Sequence, residues 1–200
     1  MTLDRLRPVA DRLLGPWVAA AVRLGLSPDQ VSLVAFGAAV VAAGAFAVAT
    51  PALYVLGGVL VFLNGWLDLV DGALAREQGA SSAAGDLLDH VLDRYADLAL
   101  IAGFTAGVDA YGLGFLAVTG VLMTSYLGTQ IQAVGIGREY GGLLGRADRL
   151  ALMGIVAVVA AVVTEPLFAG VGVVELLLGL FALVGHLTAL QRFLGAWRGL

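Results

Sequence analysis

The 200-residue chain is 60% hydrophobic and only 13% charged, with a net charge of −4 and no cysteine. A soluble domain carries about 25% charged residues, so composition excludes an ordinary soluble globule, and the missing cysteines exclude disulfides and thiolate chemistry. There is no lysine either, so all eleven basic residues are arginines.

Residues 2–24 mix Arg and Asp with Leu, Val and Trp17. They read as one or two amphipathic helices lying on the membrane, broken near Gly15-Pro16. No cleavable signal peptide is evident. Leu26-Ser27-Pro28-Asp29 then opens a helix, with Ser27 as N-cap and Pro28 at the first helical position. From there apolar stretches of about 20 residues, enough to cross a bilayer, recur to the C-terminus. The predicted spans are Pro28–Ala49, Ala52–Glu77, Ala84–Gly107, Tyr111–Val134, Arg146–Val163 and Val171–Gly195. The expected fold is therefore an all-α integral membrane protein, six transmembrane helices preceded by an N-terminal amphipathic interfacial helix. It forms one domain over residues 1–200, with 1–25 interfacial and 28–195 the six-helix bundle.

The charges support six spans. Ten arginines, including Arg5, Arg23, Arg76, Arg138, Arg146, Arg149, Arg192 and Arg198, fall at the termini or in the even-numbered loops. The opposite loops hold Asp109 and Glu165 and no arginine. The positive-inside rule then places both termini in the cytoplasm.

Four carboxylates interrupt this apolar chain. Asp68 and Asp71 are three residues apart on the second span, and Asp89 and Asp93 four apart on the third. Those spacings put each pair on one helix face. The two spans run antiparallel across a short loop, so the pairs reach similar depth and can face each other. Intramembrane acids are costly and mark function. Arg76 and Arg94 are too few to neutralise four of them. Divalent cations are the natural counter-charge, and an all-oxygen set suits Mg²⁺, Mn²⁺ or Ca²⁺. Gly72, Ala75 and Gly85 are small residues that leave a slot beside the acids, and Arg76 can clamp a phosphate. Metals, an arginine and a slot together read as phosphoryl transfer.

The motif D-x2-D-G-x2-A-R-x8-G-x3-D-x3-D, filled by Asp68, Asp71, Gly72, Ala75, Arg76, Gly85, Asp89 and Asp93, resembles the signature of the CDP-alcohol phosphotransferase family. The six spans and the amphipathic start are also similar to that family. The resemblance implies an enzyme of phospholipid biosynthesis that transfers a lipid phosphate from a CDP-linked lipid to an alcohol and releases CMP. It implies two divalent metal ions on Asp68, Asp71, Asp89 and Asp93, with Asp93 also the catalytic base. Gly72, Ala75 and Gly85 would line the cytidine slot, Arg76 would contact the diphosphate, and the protein would be a homodimer. The donor would be CDP-archaeol or CDP-diacylglycerol, and no nucleic-acid partner is expected.

The stretch from Gly137 to Arg149 resembles the region that binds phosphorylated acceptors in inositol-phosphate-using members. It makes Arg138, Arg146 and Arg149 candidates for an acceptor phosphate, on glycerol phosphate or inositol phosphate, with topology-setting charge as the plainer reading. Thr124, Tyr126 and Gln130 are possible hydrogen-bonding partners of the acceptor. Asp86 suits the positive end of a helix dipole. Asp97 is placed to pair with Arg94, and His90 and His186 read as packing residues. Two alternatives stay open: a non-phosphorylated acceptor such as serine, and, in another class, a divalent-cation transporter.

Overall fold

The computed structural model describes residues 7–135 and 142–200, with backbone only for 7–12. The described residues are helical apart from short connections and one isolated bridge between Phe168 and Val171. In chain order the helices are α1 (Arg7–Arg23), α2 (Pro28–Val48), α3 (Pro51–Glu77), α4 (Ala83–Gly107), α5 (Tyr111–Ala133), α6 (Arg146–Val162) and α7 (Val173–Gly199).

Local chemistry starts and stops them. Ser27 accepts from the Gln30 amide at 3.2 Å while the Gln30 side chain accepts from the Ser27 amide at 2.9 Å, a reciprocal cap on α2. Thr50 and Ser82 cap α3 and α4 through their hydroxyls. Asp148 and Glu175 reach back to the Gly145 and Gly172 amides at the starts of α6 and α7. Ala49, with φ of 55°, ends α2 in the left-handed region, and Pro51 opens the next helix. Two expectations need correcting. Pro51, read as a connection, is the first residue of α3, and the last helix starts two residues later and runs four residues further than drawn.

The expected break at Gly15-Pro16 does not occur. Helix α1 runs through Pro16, although proline inside a helix costs roughly 3 kcal/mol. Docking compensates on both sides of it. Leu14 and Ala21 are buried against Val31, Val70 and Leu74, and Trp17 meets Trp66 edge to face with ring centroids 6.2 Å apart.

Two features place the bundle in a membrane. Large apolar side chains such as Val40, Val59, Phe115, Val158 and Leu183 are exposed along the helices, more apolar surface than a soluble monomer leaves uncovered. Four helices, α2, α3, α5 and α7, are long and apolar enough to cross a bilayer. Helix α4 falls short of that pattern because it carries Asp86, Asp89, Asp93, Arg94 and Asp97. Helix α6 falls short because it has 17 residues and begins with Arg146, Asp148 and Arg149.

Small residues let the helices close on one another. A Cβ on Gly185 of α7 would lie 2.6 Å from the Gly120 carbonyl carbon of α5, and one on Gly103 of α4 would lie 2.7 Å from the Ala43 Cα of α2. Helix α2 packs on α3 and α4, α3 on α6, and α5 on α7. The centre is filled by Phe46, stacked on Phe104 at 3.9 Å, with Leu100, Ile101, Met153, Leu178 and Phe181. Gly112 of α5, by contrast, has open space around its Cβ position.

Gly185→Leu is expected to force α5 and α7 apart and to lower the melting temperature in detergent, by an overpacking cost of about 1–3 kcal/mol or more. Gly37→Ala, whose Cβ would meet nothing within 4 Å, should be neutral or slightly stabilising. Equal thermal stability of the two variants would contradict the close α5–α7 contact.

Candidate metal centre and active site

One end of the bundle gathers the start of α2, the end of α3 and the starts of α4 and α6. The Gln78 side chain just after α3 donates to the Leu26 carbonyl before α2 at 3.1 Å. Asp68 and Asp71 lie nine and six residues before the end of α3, and Asp89 and Asp93 six and ten residues after the start of α4. At 1.5 Å per residue both pairs sit roughly 9–15 Å in from this end. Asp68, Asp71 and Asp89 each offer a carboxylate oxygen within 4.8 Å of the others. Asp71 is buried, and its Oδ2 accepts from the Ser32 hydroxyl of α2 at 2.7 Å. The four aspartates share a cavity of about 10 Å³ with Ser32, Asn64 and Arg146, which is room for roughly one water.

Arginines from α6 complete the charge balance. Arg146 places Nη1 2.8 Å from Asp68 Oδ1 and Nη2 2.7 Å from Asp93 Oδ1, so one guanidinium bridges α3 and α4. Arg94 Nη2 lies 3.7 Å from the other Asp93 oxygen, and Arg94 also donates to Ser125 of α5. One turn beyond Asp93, Asp97 is fully buried. Its principal partner is Arg149 at 2.7 Å, with Arg94 at 3.9 Å. The expected Asp97–Arg94 pair is thus the weaker of two contacts. The count of available guanidiniums also needs correcting, because Arg76 is exposed and Arg146 takes the central place.

Beside this cluster lies a cavity of about 640 Å³. Its walls include Asp93, Arg94, Ser125, Tyr126, Arg146, Arg149 and Arg192. Asp93 and Arg146 therefore face both spaces, the small one among the aspartates and the large arginine-rich one. Arg192 of α7 is held by the Thr124 carbonyl of α5, and the Thr124 hydroxyl in turn donates to the Gly185 carbonyl at 2.8 Å.

The remaining sequence candidates fall around this site. Gly72 and Ala75 lie on α3 beyond Asp71, half-buried, and the Arg76 guanidinium passes 3.6 Å from the Cβ position of Gly72. Gly85 sits where a Cβ would be 3.4 Å from Asp29, at the close approach of the starts of α2 and α4. Arg138 lies outside the described residues. Tyr126 and Thr124 line the large cavity, whereas Gln130 does not. His90 is not a packing residue: it is exposed, its ring nitrogen meets the Asp86 carbonyl at 2.8 Å, and it borders the large cavity. His186 meets Thr119 at 3.3 Å. Ser32, Asn64, Ser125 and Arg192 are members that sequence reasoning missed. Ser32, Ser125 and Arg192 come from helices other than α3 and α4, so helix spacing gave no signal for them, whereas Asn64 sits four residues before Asp68 on α3 and was passed over because it carries no charge.

The donor set fits a hard divalent cation. It offers carboxylate oxygens alone, with no nitrogen or sulfur ligand, as Mg²⁺, Mn²⁺ and Ca²⁺ prefer.

Known proteins carry the same arrangement of chain. Residues 25–186 match the CDP-alcohol phosphatidyltransferase family. An archaetidylinositol phosphate synthase of Methanothermobacter thermautotrophicus is 32% identical over 200 residues, covering 99% of this chain and 95% of the relative. A phosphatidylinositol phosphate synthase of Mycolicibacterium smegmatis is 34% identical over 189 residues, covering 90% and 82%. The Mycobacterium tuberculosis phosphatidylinositol phosphate synthase solved with CDP-DAG bound superposes with a TM-score of 0.78 at 25% identity, covering 93% of this chain and 94% of that one. The same enzyme in complex with manganese and citrate gives 0.78, covering 92% and 88%. With a family match over most of its length and relatives aligned nearly end to end, the chain belongs to the CDP-alcohol phosphatidyltransferase family and is a transferase.

Proposed function

We propose that this protein is a membrane phospholipid synthase that moves a lipid phosphate from a CDP-linked lipid to a phosphorylated head alcohol and releases CMP. The observation that carries the reading is the double exposure of Asp93, to the carboxylate cluster and to the arginine-lined cavity. A base in that wall can take the proton of an acceptor hydroxyl held in the large cavity. The acceptor oxygen then bonds to the lipid-bearing phosphorus, and the bond from that phosphorus to the CMP oxygen breaks with its electron pair leaving on CMP. A pair of divalent cations on Asp68, Asp71 and Asp89, with Asp93 as a shared ligand, would supply Lewis-acid charge to the diphosphate. Gly72, Ala75 and Gly85 leave space for the cytidine, and Arg76 at the open end is a diphosphate contact. The solved relative holds CDP-DAG in one structure and manganese in another, which supports a CDP-lipid donor and a divalent metal here.

Arg146, Arg149 and Arg192 give the large cavity the charge that a phosphate on the acceptor requires, and Arg138 is retained on sequence grounds. The names of the relatives favour inositol phosphate over glycerol phosphate. The donor lipid is CDP-archaeol or CDP-diacylglycerol. A cation transporter is disfavoured because its acids would continue across the bundle, whereas these stay at one end.

The same reading makes the chain one domain with six spans, α2 to α7, in which α4 and α6 cross with their charges turned inward. Helix α1 lies at the interface, both termini and the site are cytoplasmic, and the homodimer rests on the family resemblance. Since the chain has no cysteine, single cysteines report sidedness directly. A cysteine at Asp109 or Glu165 is expected to react with an impermeant maleimide from outside intact cells, and one at Arg198 only after lysis. Labelling of all three from one side would overturn the six-span topology.

The activity is tested by CMP release from a CDP-lipid with inositol phosphate, glycerol phosphate, free inositol and serine as acceptors. Chelation should stop turnover, and Mg²⁺ or Mn²⁺ should restore it. Asp93→Asn should reduce turnover by about 10² to 10⁴, the usual contribution of a general base, in protein that still elutes as a folded species. Near-normal turnover in that variant would sink the assignment of the base.

Arg192→Ala should raise the KM for a phosphorylated acceptor about ten- to a hundredfold, since a charged hydrogen bond is worth about 1.5–3 kcal/mol. The KM for the CDP-lipid should stay unchanged. Free inositol or serine serving as well as the phosphorylated acceptors would show that the arginine-lined cavity does not bind an acceptor phosphate.

A further inference from the structure

Asn64 continues the polar face of α3 inward from the carboxylates. Positions 64, 68 and 71 follow one another at spacings of four and three, so all three side chains share one side of the helix. Asn64 is only 1% exposed and lines the small cavity among the aspartates. Its Nδ2 donates to the Ala35 carbonyl of α2 at 2.9 Å. A carbonyl oxygen can only accept, so this bond fixes which way round the amide lies. The Asn64 Oδ1 is then the polar atom left over, and it is buried without a partner.

That orientation runs against the local electrostatics. Neighbouring carboxylates attract an amide NH₂ and repel an amide oxygen. A buried carbonyl oxygen in that company is satisfied only by positive charge or by a donor hydrogen. The cavity has room for about one water-sized occupant. Arg146 Nε, also buried without a partner, makes a plain bridging water the competing occupant.

We propose that Asn64 Oδ1 is a neutral oxygen donor to the cation held by Asp68, Asp71 and Asp89, directly or through the single water the cavity can hold. The inference rests on the metal-dependent reading above and deepens it. A carbonyl oxygen completes an oxygen-only coordination set without adding a further negative charge. Ser32, which donates to Asp71 Oδ2 at 2.7 Å, holds the neighbouring ligand from the opposite helix. Helix α2 thus orients two of the oxygens that α3 presents.

The test is Mn²⁺ binding to the full chain in lipid nanodiscs, followed by electron paramagnetic resonance of free Mn²⁺ and by the Mn²⁺-induced rise in melting temperature. Asn64→Leu fills the space without an oxygen and should bind Mn²⁺ about ten- to a hundredfold more weakly, the usual loss when a supporting ligand is removed. Asn64→Asp keeps an oxygen, gives up the bond to Ala35, and should bind at least as tightly as wild type. Unchanged Mn²⁺ affinity in Asn64→Leu overturns the proposal and leaves Asn64 as a clamp between α2 and α3 around a bridging water. If Asn64→Leu does not fold, a tenfold loss of affinity in Asn64→Asp overturns it instead. Wild-type protein that binds no Mn²⁺ defeats the metal reading itself, an outcome distinct from failure at Asn64 alone.

Discussion

The architecture depends on bringing like charges together inside an apolar bundle. Two antiparallel helices carry acidic pairs to the same depth, and the one inward cation they own, Arg94 of α4 at 3.7 Å from Asp93, cannot balance four carboxylates. The cation comes from α6, where Arg146 bridges Asp68 on α3 and Asp93 on α4. Removing one partner from a partly buried pair leaves the other charge behind, at a cost below the roughly 3–5 kcal/mol of a fully buried one. The position of α6 against α3 is therefore an electrostatic requirement as much as a packing one. A helix of 17 residues is tolerated there because its first turn is anchored by charge.

A second ion pair lies deeper and does different work. Arg149 and Asp97 are both buried and bond each other at 2.7 Å. They repeat the α6-to-α4 link one turn further into the bundle, where Leu100, Ile101 and Met153 exclude water. Asp97 Oδ1 and Arg149 Nε remain without partners, so this pair is held by geometry and not by saturation with hydrogen bonds. The carboxylates nearer the end are more open: Asp68 and Asp93 are only partly buried. Arg149 also borders the large cavity, so its pair with Asp97 fixes a positive charge at the wall of that space while Asp97 stays sealed in the core.

The readable part of this site was the part encoded within one helix or one hairpin. Spacings of three and four, with a connection of five residues between α3 and α4, were enough to align Asp68, Asp71, Asp89 and Asp93. The start of α2 was also legible, since Ser27-Pro28 carries its capping chemistry locally, whereas the same chemistry at Thr50-Pro51 was read as a connection. Long-range contacts were not. Ser32 meets Asp71 across 39 residues, and Arg149 meets Asp97 across 52. Arg146 looked like a loop charge awaiting a ligand, because its carboxylate partners are far away in sequence. Pro16 misled for a related reason: its local cost is real, but docking of Leu14 and Ala21 on α3 outweighs it. His90 was misjudged because an angle of about 100° from Asp89 turns it into the large cavity and not into the core.

The unequal pairing of the helices has a consequence for how such a protein can change. Helices α5 and α7 are joined backbone to backbone at Gly120 and Gly185, while α2, α3, α4 and α6 form the frame that holds the carboxylates. The large cavity lies on the seam between these two groups, with Ser125, Tyr126 and Arg192 on one side and Asp93 and Arg146 on the other. Substitutions on the α5–α7 side, apart from Ser125, which accepts from Arg94, can reshape that wall without disturbing an aspartate or its partners. Mutational drift can thus alter which small molecule fits while the reactive apparatus stays constant. A single bundle of this kind is a modular starting point for divergence, one half free to vary and the other bound by its charges.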